Sequence, residues 1–274
     1  MTSAPAAALV SLLVQAAPPA TPTPRPPTAA ACALLRACGL PVPSACGAAP
    51  ASAKYDEERC APARELHARG VSADEPLGAR TYSLLGQKYQ IVYAVEDRLS
   101  LSVDRLTYLL NDLPLAAKLL THYQKVDYKA DYLDPAHRRF RASRGNRLKG
   151  EGELLSGSIE ERTTFHFGNG STTFGPWTFR GQGLMRLQFW RDPADTRAIL
   201  FRVKVVAAPQ NLAANLIMNR GAFKGVVYRT IRAVLTDVSE AAAKLAKEGT
   251  AALAAGGGWS ADEKAKLESL LKLP

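Results

Sequence analysis

The 274-residue chain carries 35 Lys and Arg against 25 Asp and Glu, a formal charge of +10, and is 47% hydrophobic. That apolar content suffices for one good core plus tails, and no apolar run reaches the roughly 18 to 20 residues of a spanning helix, which excludes a helical integral membrane protein. The basic surplus either favours an acidic partner, such as nucleic acid, an anionic lipid surface or an acidic envelope polymer, or serves solubility alone.

In chain order, residues 1–17 contain an apolar stretch (APAAALVSLLVQAA) ending near Val14-Gln15-Ala16, and they read as an export signal that lacks the usual basic start. Residues 18–31 are rich in Pro, Thr and Ala and read as an extended linker. The four cysteines, Cys32, Cys38, Cys46 and Cys60, fall in residues 32–80, ahead of the main hydrophobic pattern. Their spacing has no C-x-x-C pair, which disfavours zinc or redox chemistry. In a secreted or periplasmic protein they make two disulfides, with three connectivities open, that staple a segment too small for its own core.

From residue 81 to about 250 the pattern is that of one α+β domain. Tyr89, Ile91, Tyr93 and Val95 share one face of a first strand. Ser102 then caps a helix carrying Leu106, Leu109 and Leu110, and Asp112 and Pro114 open a second with Leu115, Leu119 and Leu120. Period-two segments follow at residues 126–132, 139–142, 148–155 and 162–167. In the next strand Trp177, Phe179, Met185, Leu187 and Phe189 oppose Arg180, Gln182 and Arg186, and in the last one Ile199, Phe201, Val203 and Val205 oppose Arg202 and Lys204. Asp134-Pro135, Gly145-Asn146, Gly168-Asn169-Gly170 and Asp192-Pro193 read as the turns of an antiparallel meander. Phe223, Val227, Ile231, Val234 and Val238 step by three or four along a long C-terminal helix, with Lys224, Arg229 and Arg232 off the stripe. Residues 251–274 are a Gly linker and a short charged surface helix with a Ser260/Glu263 capping box.

A sheet with one apolar face must cover it, and the last helix is the one element long enough to do so. A single helix cannot fill a strongly curved sheet from end to end, so the remainder is either packed by large side chains or left as a cavity. Gly181 and Gly183 occupy inward positions, where glycine leaves a gap or lets the strand bend.

This order resembles the helix-grip fold of the START, polyketide-cyclase and plant-allergen superfamily (SRPBCC). The resemblance is carried by the first strand YQIVYAVEDRLSLS, the helix pair VDRLTYLLNDLPLAAKLL and the last helix AFKGVVYRTIRAVLTDVSEAAAKL. It implies a curved antiparallel sheet gripping a long C-terminal helix, with two short helices after the first strand. It also implies a cavity for an apolar or lipid-like ligand, which by position Tyr93, Phe165, Phe167, Trp177, Phe179, Met185 and Phe189 would line. An exported carrier of an apolar small molecule is therefore the expected function, with no cofactor.

Two other readings use other residues. His122, close to Tyr123 and Asp127, could serve as general base of a cyclase- or hydrolase-like reaction in the same pocket. Arg139, Arg141, Arg144 and Arg147, with Arg139 and Arg141 on an outer strand face and the other two in the turn beyond, could contact an anionic membrane or envelope surface. Nucleic acid is disfavoured, because the aromatic residues do not interleave with the basic ones. No two histidines have metal-ligand spacing.

Overall fold

The computed structural model describes residues 26–47, 55–88, 90–124, 126–146, 148–174, 177–209, 221–254 and 258–274. The expected export signal, Tyr89 and Arg147 lie outside the described residues.

Three helices come first: α1 (Ala29–Ala37), α2 (Glu57–Ala68) and α3 (Pro76–Leu85). Thr28 caps α1 by accepting from the Ala31 N–H at 3.3 Å, so residues 29–31 belong to a helix rather than to the linker. Disulfides join Cys32 to Cys46 and Cys38 to Cys60. The boundary expected after residue 80 falls inside α3, because α3 belongs to the core that the first helices share with the sheet.

The strands are β1 (Ile91–Leu99), β2 (Tyr128–Tyr132), β3 (Arg139–Arg144), β4 (Leu148–Ser158), β5 (Thr163–Phe174), β6 (Trp177–Asp192) and β7 (Asp195–Pro209). They form one curved antiparallel sheet in the order β1-β7-β6-β5-β4-β3-β2. Between β1 and β2 stand α4 (Val103–Asn111) and α5 (Leu113–Tyr123), capped as expected by Ser102 and Asp112. The long helix α6 (Gly221–Glu248) follows β7, and then come the single turn α7 (Ala251–Ala254) and α8 (Ala261–Lys272). The architecture is α+β, a curved antiparallel sheet gripping a long C-terminal helix.

One expected turn is not a turn. Gly168-Asn169-Gly170 lies in the middle of β5, where Gly168 pairs with Gly183 and Gly170 with Gly181 of β6. Glycine and Asn mark turns when nothing else fixes the backbone, but here strands on both sides hold the segment extended.

Both faces of the sheet are cores. On the inner face, Ile91, Val95, Leu187, Phe189, Phe201 and Val203 pack with α4, α5 and the Ile231, Val234, Val238 and Leu245 stripe of α6. On the outer face, Phe165, Phe167, Leu184, Val206 and Ala208 pack against Leu34, Leu35, Leu66, Tyr82 and Leu85 of the N-terminal helices. Burial of those helices therefore depends on the sheet beneath them. Gly86 shows how closely they pack: a Cβ there would lie 2.2 Å from the Ala30 carbonyl oxygen of α1.

The last helix also departs from expectation. Leu267 and Leu270 of α8 are fully buried in the inner core, and the helix is tied down by Lys118–Glu263 at 2.6 Å and Lys266–Asp112 at 3.0 Å. Its charged sequence hides a short apolar face that meets α4.

The C-terminal half of α6 is fastened to the β2–β3 edge by a polar cluster. The Tyr128 hydroxyl donates to Asp237, while Arg144 donates from Nε to that hydroxyl at 2.6 Å and pairs with Asp237 at 3.2 Å. Burial, reinforced by the Asp237 carboxylate, pushes the Tyr128 phenol well above its ordinary range. Asp237→Ala would leave a half-buried guanidinium and a buried hydroxyl without their shared acceptor. A loss of about 2 kcal/mol in urea unfolding is expected, with the sheet core unchanged.

Candidate functional site

Across the centre of the inner face the side chains stop. Gly152 of β4 pairs with Gly168 of β5, which pairs with Gly183 of β6; in the adjoining row Gly150 pairs with Gly170 and Gly170 with Gly181. The chain supplies these positions as three G-x-G segments, at residues 150–152, 168–170 and 181–183. Residues two apart share a face, so the six glycines form one continuous floor without Cβ atoms. Gly168 and Gly183 are only half-buried although they lie in the middle of a seven-stranded sheet. Nor do the glycines serve a close approach of backbone at Gly183: a Cβ there would meet Val206 O at 3.6 Å and a Val205 methyl at 3.9 Å, both ordinary contacts. At Gly183, at least, the missing side chain is not required by a close backbone neighbour.

Apolar side chains border it. Met185 and Ala207 are buried beside the floor, and Phe140 and Ala142 of β3 pair with Gly152 and Gly150. One cross-strand row next to the floor reads Tyr93, Val205, Met185 and His166. This row also carries polar atoms. His166 is 1% exposed, and neither ring nitrogen has a hydrogen-bond partner. Thr164 is fully buried and Tyr93 is 6% exposed, and their hydroxyl oxygens are likewise unpartnered. Burial holds the His166 imidazole neutral, lowering its pKa to about 3, and pushes the Tyr93 phenol above its usual value.

The residues expected at the site do not all meet there. Tyr93, Met185 and Phe189 lie on the inner face. Phe165 and Phe167 lie on the opposite face, in the core shared with the N-terminal helices, which corrects their assignment to a pocket. Phe165 sits under the guanidinium groups of Arg69 and Arg186, at 5.2 and 5.5 Å, and Phe167 under that of Arg80, at 4.6 Å. Their register partners Arg186 and Leu184 fix the inversion, which leaves His166 facing in. The side chains of Trp177 and Phe179 lie outside the described residues.

His122 is exposed and meets the edges of Tyr123 and Trp259, with ring centroids 4.7 and 6.0 Å away. Asp127 pairs with Lys129 at 3.1 Å. The two residues read as a possible acid–base pair thus face solvent and other partners. Of the basic residues, Arg141 faces out and pairs with Glu151 at 2.6 Å. Arg139 lines an outer-face cleft of about 180 Å³ with Arg80, Glu153, Phe167 and Asn169. Arg144, expected in a turn, is the last residue of β3 and reaches inward to Asp237, because β3 runs two residues longer than its apolar pattern.

Sequence reasoning missed His166, Thr164 and the glycines of β4 and β5. The repeated G-x-G spacing on successive strands was the available signal.

No protein-family model matches the chain, and no curated protein matches it. Among solved structures, the chain is similar to Ara h 8.0201, with 8% identity, a TM-score of 0.41, and coverage of 55% of this chain and 96% of that one. It is also similar to an uncharacterized protein from Bacillus thuringiensis, with 11% identity, a TM-score of 0.39, and coverage of 55% and 98%. A third is Mll3558 from Rhizobium loti, with 7% identity, a TM-score of 0.32, and coverage of 53% and 96%.

Proposed function

We propose that the protein is a carrier of the START-like helix-grip kind, holding an apolar or lipid-like ligand between the inner face of the sheet and the C-terminal helix. The observation that supports this reading is the six-glycine floor, in which Gly168 and Gly183 are half-buried and the other four glycines buried, bordered by Met185, Ala207 and Phe140. Burying about 300 Å² of ligand there, at about 25 cal/mol per Å², supplies roughly 7 kcal/mol before association costs, enough for useful affinity. The two disulfides fit residence in an oxidising compartment, so we place the carrier outside the cytosol. No helix among the described residues is long and apolar enough to cross a membrane.

Organic extraction of the purified full chain, followed by mass spectrometry, is expected to yield a co-purified apolar compound. Gly183→Leu is expected to keep the fold, because a Cβ is tolerated there, and to lower affinity for a neutral apolar fluorescent dye such as N-phenyl-1-naphthylamine at least tenfold, because the added isobutyl group occupies the floor. An empty extract together with no fluorescence change on the wild-type chain would count decisively against the carrier.

A further inference from the structure

A neutral imidazole offers one N–H donor and one bare acceptor nitrogen. Buried polar groups in folded proteins are paired almost without exception, and each departure calls for a cause. Here three departures lie together: both ring nitrogens of His166 and the Thr164 hydroxyl, two residues apart on one strand and therefore on one face. Phe140 meets the imidazole edge-on at 6.0 Å, and the cross-strand partners of His166 are the apolar Leu154 and Met185. Gly168, the next inward position on β5, begins the floor. Polar atoms at the end of a side-chain-free apolar surface are what a ligand with an apolar body and one polar group would meet.

We propose that the ligand is a neutral alcohol or phenol, whose apolar body lies over the glycine floor and whose hydroxyl is buried against His166 and Thr164. This inference rests on the carrier reading and narrows it to a ligand class. A hydroxyl both donates and accepts, so it can bond one ring nitrogen of His166 and the threonine together. A carboxylate only accepts, so it cannot donate to the bare ring nitrogen, and it would carry an uncompensated charge into an apolar site. A pure hydrocarbon would leave all three atoms as they are. Tyr93 stands at the far end of the same cross-strand row, three strands or about 14 Å away, and is too distant to share that hydroxyl.

The test compares matched pairs on three skeletons with the full chain: decanol and decane, naphthol and naphthalene, and a sterol and its deoxy hydrocarbon. On at least one skeleton the hydroxylated member is expected to bind at least tenfold more tightly. That preference is expected to collapse to less than threefold in His166→Phe, while the hydrocarbon binds as before or better. Thr164→Val is expected to reduce the preference partially and serves if His166→Phe does not fold. On binding the hydroxylated member, the His166 ring-nitrogen resonances are expected to shift, and the hydrocarbon is expected to leave them in place. A water trapped at His166 would satisfy the same atoms but would confer no hydroxyl preference. Equal affinities within every pair, or a preference unchanged by both substitutions, would overturn the hydroxyl assignment and leave the carrier standing. Binding of no member of any pair would remove both.

Discussion

Reduction of the two disulfides is expected to cost about 3 kcal/mol for each bridge and to release the N-terminal helices from the sheet. The bridges close loops with sequence separations of 14 and 22 residues, and loops of that size carry stabilisation of about 3 kcal/mol in the chain-entropy account. The three helices bury Leu34, Leu66 and Leu85 mainly against one another and against the outer face, so they have little core of their own once unstapled. Their departure would expose Phe165, Phe167, Leu184 and Val206, an apolar patch on an otherwise polar strand face. The measurement is urea unfolding with and without reductant, combined with limited proteolysis and binding of a hydrophobic dye. Cleavage confined to residues before β1, with a rise in dye fluorescence, is the expected pattern. An unchanged midpoint would show that the outer core holds without its bridges.

Acid is expected to destabilise the protein through His166 before it does so through carboxylates. The unfolded chain takes up this proton near the ordinary value of about 6.5, whereas the buried imidazole in the fold takes it up only at about 3. Between those values the unfolded state binds more protons, so stability is complete above about pH 6.5 and declines as pH falls toward 3. The decline amounts to about 3 kcal/mol between pH 6.5 and 4. Asp192 and Asp195, whose carboxyls are held below their usual values chiefly by hydrogen bonds, from Arg98 and from the Arg197 backbone respectively, act in a lower window. Urea midpoints measured across this range for the wild type and for His166→Phe separate the two contributions. The variant is expected to lose most of the slope between pH 6.5 and 4. A parallel slope in both chains would mean that His166 is hydrated or paired in the fold.

The inner face was legible because its partners are simple. Met185, Leu187 and Phe189 alternate cleanly with Arg186 and Gln188, and the structure places them in the inner core. The same rule misplaced Phe165 and Phe167. A strand covered on both sides is apolar at both parities, and Phe165-His166-Phe167 gives no reason to prefer one face. Only the pairing of Phe167 with Leu184 and of His166 with Met185 settles it. The floor was half legible: Gly181 and Gly183 stood out at inward positions, but Gly168 and Gly170 took the form of a turn and were separated from them.

Local chemistry thus determined the elements: the caps at Ser102, Asp112 and Ser260, the helical stripe of Ile231, Val234 and Val238, and the alternation of β1, β6 and β7. These are short-range facts, fixed by backbone hydrogen bonding and the period of each element. What lies opposite what was decided by tertiary structure alone: the disulfide pairing, the second core on the outer face, the six glycines brought into two rows, and the unpartnered histidine beside them. Strand register and helix docking join residues far apart in the chain, and no periodicity within a single segment encodes a neighbour supplied by another.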